Sequence, residues 1–148
     1  MRRRTGGPPA GIRAAYATAV EFLDLEVGRV LDALDRSGRA AETLVIVSSE
    51  MGRRPKIGDP RSGGVSGAGR DHWTHGMSTL LAGGGIRGGQ VYGSTDKLAE
   101  YPKDNPVGAE HIARTVFHSL GIADLMARDR EGRPFHLMDE GRVLTELF

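Results

Sequence analysis

At 148 residues, with 20 Lys and Arg against 19 Asp and Glu, the chain has the length of one domain and a formal net charge of +1. That balance excludes the strong electrostatic attraction on which nucleic-acid binding or adsorption to an anionic membrane depends. The absence of cysteine excludes disulfides, thiolate zinc centres and a cysteine nucleophile, and no run approaches the ~20 apolar residues of a membrane span.

In chain order, residues 1–11 read as a basic, disordered leader, and residues 12–148 as the folded part. Arg2-Arg3-Arg4 beside Gly6-Gly7-Pro8-Pro9 suits a solvated tail rather than a nucleic-acid arm. It is not a signal peptide, because glycine and proline stand where an apolar segment should follow the arginines. From Ile12 the apolar positions Tyr16, Val20, Leu23, Val27, Val30, Leu31 and Leu34 recur in steps of three and four. They predict an amphipathic helix over 12–37 whose stripe packs in a core, with Gly38 as its stop. Thr43-Leu44-Val45-Ile46-Val47 is too short for a helix and predicts a buried strand, 43–48; a helix leading into such a strand suggests the crossover unit of a parallel sheet. Residues 48–70 form a long Gly-rich loop, functional or mobile at that length. Met77 to Ala82 predicts a second strand, Gly83-Gly84-Gly85 a sharp turn, and Gln90-Val91-Tyr92 a short hairpin partner. Ser94 to Val107 reads as loop, residues 108–120 as a helix ended by Gly121. Arg128 to Asp139 reads as two extended pieces about a turn at Glu131-Gly132-Arg133, and Arg142 to Phe148 as a short helix.

The chemistry gathers around two of these boundaries. Glu50 lies three residues past Val47, at the carboxyl edge where open α/β sheets bind ligands. Gly69-Arg70-Asp71-His72-Trp73 shortly precedes the second strand. Carboxylates and imidazoles ligate hard and borderline divalent cations, which makes Glu50, Asp71 and His72 the candidate ligands of a divalent metal ion, with His75 the competitor of His72. Arg53, Arg54, Lys56 and Arg70 surround them, and guanidinium forks suit phosphate, sulfate or carboxylate; Arg53 and Arg70 are the candidate substrate contacts. The bland alternatives are an ion pair of Glu50 with Arg53 or Arg54 capping a turn, and a solvated basic loop. The 83–89 glycines lack the Lys-Ser/Thr of a phosphate-binding loop and lead into no helix. His111, His118 and His136 read as structural or surface residues. Ser48 and Ser49 have no nucleophile-elbow context, so no nucleophile stands out.

Four blocks carry a family resemblance: Glu50-Met51-Gly52-Arg53-Arg54-Pro55-Lys56-Ile57, Gly69-Arg70-Asp71-His72-Trp73, Leu80-Leu81-Ala82-Gly83-Gly84-Gly85-Ile86-Arg87-Gly88-Gly89 and Tyr101-Pro102-Lys103-Asp104-Asn105-Pro106. In this order they resemble the DUF1501 family from about Ala14 to Phe148. That family is related to the alkaline phosphatase and sulfatase superfamily. The resemblance implies an α/β fold: a partial alkaline-phosphatase-like sheet flanked by helices, in an incomplete domain. It implies a metal-dependent hydrolase of small phosphate or sulfate esters. Glu50 takes the place of a metal-ligating Asp, and His72 the place of a ligating His. Met51 stands where relatives have His or Asn, which removes one ligand of a two-metal site. Relatives are longer, and the Asp-Thr-His-Gly element preceding their first helix corresponds here to Thr5-Gly6-Gly7-Pro8-Pro9-Ala10-Gly11. The expectation is a C-terminal fragment, inactive alone, with exposed sheet surface that promotes self-association. Full-length relatives are often exported, and the localisation of this chain stays open. The alternative is a non-enzymatic binding or scaffolding protein on a degenerate version of the same fold.

Overall fold

The computed structural model describes residues 10–58 and 70–148. The expected leader, from residue 1 to 9, and residues 59–69 of the long loop lie outside the described residues. The chain divides into two compact units, Met1–Ala41 and Glu42–Phe148.

The first unit is one helix, α1 (Ala10–Arg36), closed by the Ser37 hydroxyl donating to the Leu34 carbonyl at 2.6 Å and by Gly38 at φ +71°. Its boundaries match the periodicity to within two residues. Its packing does not match: Ile12, Tyr16, Val20, Leu23, Val30 and Leu31 are exposed rather than set in a core. Among the described residues of this unit α1 is the only long element, so within the unit its stripe has nothing to pack against.

The second unit is a chain of small antiparallel pairs. β1 (Leu44–Val47) pairs with β4 (Leu80–Gly83), with Leu44 opposite Gly83 and Val47 opposite Leu80. β2 (Gly52–Arg53) pairs with β3 (His72–Trp73), β5 (Ser94–Thr95) with β6 (Pro102–Asp104), and β7 (Met126–Arg128) with β8 (Pro134–His136). The architecture is mixed α/β, but every pairing among the described residues is antiparallel, which corrects the parallel-crossover expectation. The reason lies in the connections. Among the described residues the β2–β3 pair lies between β1 and β4, and a returning β-connection leaves the second strand antiparallel.

Gly83, Gly84 and Gly85 all have positive φ and turn the chain at the end of β4, bridging Gly83 to Ile86. The expected hairpin partner at Gln90–Tyr92 is irregular coil, and the expected 94–107 loop contains the β5–β6 hairpin instead. The second helix, α2 (Ala109–Ser119), begins with Gly108 N–H donating to His111 Nδ1 at 3.2 Å. It stops at Gly121, where Gly121 and Ile122 N–H groups close back on the carbonyls of His118 and Phe117. The core of this unit is small. Leu144 and Leu147 are buried, and Leu144 is fastened by its N–H donating to Thr115 Oγ1, which itself donates to the His111 carbonyl. Among the described residues Trp73 is the other buried apolar side chain. No helix among the described residues is long and apolar enough to cross a membrane.

Candidate functional site

β1 delivers the chain into Ser48-Ser49-Glu50. The Ser48 and Thr79 hydroxyls lie 3.1 Å apart, tying this exit to the segment that enters β4. Ser49 Oγ donates to the Met51 carbonyl at 2.7 Å and accepts the Met51 N–H at 3.3 Å, a tight local turn that leaves Glu50 exposed. The chain then runs antiparallel to residues 70–73. Gly52 faces Trp73, Arg53 faces His72, and Arg54 N–H donates to the Asp71 carbonyl at 2.9 Å. Gly52 is required here, since a Cβ at that position would overlap the Gly76 carbonyl oxygen.

Alternation along this two-stranded ribbon divides the site residues between two faces. His72 and Arg53 are exposed and directly opposite each other, and Arg53 Nη1 donates to the Arg70 carbonyl at 3.3 Å. The exposed face presents the His72 imidazole beside Arg53, and Arg70, itself exposed, accepts the Arg53 hydrogen bond through its backbone. The other face carries Trp73 and Arg54. The Arg54 guanidinium carbon sits 3.4 Å from the Trp73 ring centroid, and its Nη1 lies 3.8 Å from Glu100 Oε1, with side-chain exposures of 1% and 11% for the pair. Trp73 Nε1–H donates to the Glu100 carbonyl. Glu100 is delivered by a turn in which the Asp96 carboxylate accepts the N–H groups of Leu98 and Glu100. His75 and Tyr101 complete the cluster, at 4.6 and 5.4 Å from the Trp73 ring.

The basic cluster read from the sequence is thus two different things. Arg53 and Arg70 are both exposed, with Arg53 reaching the Arg70 carbonyl, whereas Arg54 is a buried strut between Trp73 and Glu100. His75 leans on aromatic rings, away from the His72 face of the ribbon. Glu50 leads into β2 and Asp71 precedes His72, so the ribbon brings their segments together. Among the described residues, no three His, Cys, Asp or Glu side chains converge as one metal-holding group. The donor chemistry of Glu50, Asp71 and His72 suits a divalent cation; their arrangement does not form a closed three-ligand centre.

Two features escaped the sequence reading. The Arg54–Trp73–Glu100 core is one, and its available signal was the only tryptophan of the chain sitting in a run otherwise poor in large apolar residues. The other is a cavity of about 690 Å³ lined by residues 76–81, 86–95 and 104–107, with Leu144 and Leu147 among its walls. Its polar side chains are largely engaged by protein. Arg87 donates to the Glu146 carbonyl, Gln90 to the carbonyls of Arg87 and Leu147, Ser94 to Asp104, and the Tyr92 hydroxyl bridges Arg142 and Glu146. Beside this network Glu146 is held down to about 2, first by its hydrogen bond from Arg142.

The family model described as a protein of unknown function, DUF1501, matches residues 10–148. A 57-residue stretch is 42% identical to the steryl-sulfatase of Mus musculus, covering 38% of this chain and 9% of that protein. The chain therefore matches only a small part of that relative's length. No solved structure matches the chain.

Proposed function

The chain belongs to the DUF1501 family, and from that membership we propose that it forms part of a sulfatase-like hydrolase of small phosphate or sulfate esters, on an alkaline-phosphatase-like sheet. The observation that carries the reading is the β2–β3 register. It sets exposed Arg53 opposite exposed His72, with Arg70 alongside and Glu50 at the turn leading in. Arg53 and Arg70 hold the ester's anionic group through charge-assisted hydrogen bonds. His72 faces the same space with an imidazole suited to proton transfer or metal ligation. The short similarity to a sulfatase supports the same class of substrate.

Of the expected ligands Glu50, Asp71 and His72, Asp71 precedes His72 on an alternating strand and so falls on the opposite face; Glu50 and His72 are the pair that would hold a divalent ion, and such an ion would supply charge stabilisation at the ester oxygens. A catalytic divalent centre needs about three protein ligands held rigidly together with an open position. The described residues gather no such group, so the 148-residue chain is expected to bind divalent cations weakly and to turn over no ester alone. The test is isothermal titration of the chain with zinc, manganese and calcium, and of its His72→Ala variant, alongside assays with aryl sulfates and aryl phosphates. Weak cation binding that His72→Ala abolishes supports the reading. Binding of neither cation nor aryl sulfate by the unaltered chain refutes it and favours a scaffolding role. Metal-dependent turnover lost in His72→Ala would show that the chain carries a complete site.

A further inference from the structure

We propose that the apolar stripe of α1 is the seam of a parallel two-stranded coiled coil formed with a second copy of this chain. The inference is independent of the ester-hydrolase reading. Along α1, Tyr16, Val20, Leu23, Val27, Val30 and Leu34 follow one another in steps of four, three, four, three and four. That is a seven-residue repeat, which keeps one narrow seam facing a partner helix over about 27 Å. Tyr16, Val20, Leu23 and Val30 are exposed, and Val27 and Leu34 are half-buried. Composition and charge identify the occupant. Val20 and Val27 stand where β-branched residues favour two strands, and Leu23 stands between them where leucine does. A parallel pair in register stacks each seam residue on its own copy. Its flanking contacts are Ile12 with Ala17, Ala19 with Asp24 and Glu26 with Leu31, and none sets like charges together. An antiparallel pair also stacks all six positions, Tyr16 on Leu34, Val20 on Val30 and Leu23 on Val27. It brings Asp24 against Asp24 and Glu26 against Glu26 at its centre, which like-charge repulsion disfavours. Phe22 and Leu25 are exposed too, but they lie off the seam on the far side of the helix. The seam is short, under three repeats, so the dimer is reversible and concentration-dependent.

The experiment is sedimentation equilibrium of the 148-residue chain carrying Leu80→Lys, which places a charge on the exposed apolar face of the β1–β4 sheet and so removes association through that sheet. This chain is expected to remain a concentration-dependent dimer. Leu23 and Leu25 are 62% and 55% exposed and lie on opposite sides of α1. Leu23→Asp, added to it, carries a carboxylate into the seam and should weaken the dimer at least about tenfold. Leu25→Asp should change it by less than about twofold. The chain has no cysteine, so Val20→Cys reports the register. Under mild oxidation it should form a disulfide-linked dimer, and a mixture of Val20→Cys and Val30→Cys chains should give like-with-like disulfides. A Leu80→Lys chain that is monomeric at every concentration overturns the proposal and leaves any association of the unaltered chain to the sheet. Equal weakening by Leu23→Asp and Leu25→Asp overturns it as well, since that marks an apolar surface without a seam. Mixed 20–30 disulfides refute the parallel register. Cross-linking needs no aspartate, so a Leu23→Asp chain that loses its helix leaves the proposal open to refutation.

Discussion

Arg54→Ala is expected to be among the most damaging single substitutions on the ribbon, and Arg53→Ala, one residue away, among the mildest. Arg54 is 1% exposed, its guanidinium carbon lies 3.4 Å from the Trp73 ring centroid, and its Nη1 is 3.8 Å from Glu100. Truncation removes the charge beside a carboxylate that is itself only 11% exposed. Taking one partner from a buried ion pair costs about 3–5 kcal/mol, and a desolvated guanidinium–indole stack is worth about 2 kcal/mol. These overlap, because one group makes both contacts, and 3.8 Å is a long ion pair, so about 3–4 kcal/mol is the expected loss. Against a total of ~5–15 kcal/mol for a domain, that is a large fraction. It lowers the melting temperature by roughly 6–16 °C at about 2–4 °C per kcal/mol for a chain near 150 residues. Arg54→Lys keeps the charge but loses the planar stack and the fork, for about 1–2 kcal/mol. The assay is urea unfolding followed by fluorescence, and Trp73 is the only tryptophan, so the probe sits at the perturbed contact. Arg53→Ala, an exposed change, should stay within about 0.5 kcal/mol. If Arg54→Ala moves the midpoint no further than Arg53→Ala, the strut is not a stabilising element and the argument is wrong.

The remaining predictions follow from equally local contacts. Gly52→Ala should cost at least about 2 kcal/mol and displace Arg53 from His72, because a Cβ there would collide with the Gly76 carbonyl. Gly88→Ala, where a Cβ would meet nothing within 4 Å, should be near neutral by the same unfolding assay, and equal midpoints for the two variants would sink the explanation. Glu146, at about 2 in the fold against its ordinary 4.5, has a depressed folded-state value. Its contribution is present above 4.5 and lost as pH falls from there towards 2; carboxyl-carbon NMR should place its midpoint near 2, moving up in Arg142→Ala, and a wild-type midpoint above 4 would contradict the Arg142–Glu146 geometry. Self-association through the β1–β4 sheet should appear as an apparent mass above 15.9 kDa in sedimentation of the Leu23→Asp chain, since Ile46, Val47 and Leu80 are exposed apolar groups. Adding Leu80→Lys should restore the monomer mass, and a monomer at all concentrations in the Leu23→Asp chain would dispose of the idea.

What the sequence determined by itself was largely local. Helices α1 and α2 were legible from 3.6-residue periodicity and from the glycines after them, because a helix satisfies its backbone bonds within its own segment. The strands β1 and β4 were legible as short apolar runs, and the 128–139 turn from Glu131-Gly132-Arg133, which falls between β7 and β8. Family membership was legible too, since ordered blocks of residues are a property of the string. Partner identity was not. The direction of β1 against β4, the β5–β6 hairpin and the exposure of the α1 stripe depend on what lies beside each element, which no local pattern encodes. The site divides the same way. Glu50, Asp71, His72, Arg53 and Arg70 could be named as chemically apt residues, but only the β2–β3 register decides that His72 shares a face with Arg53. Arg54, read with its neighbours as one basic cluster, turns to the opposite face because successive side chains of an extended strand alternate, and there Trp73 and Glu100 bury it.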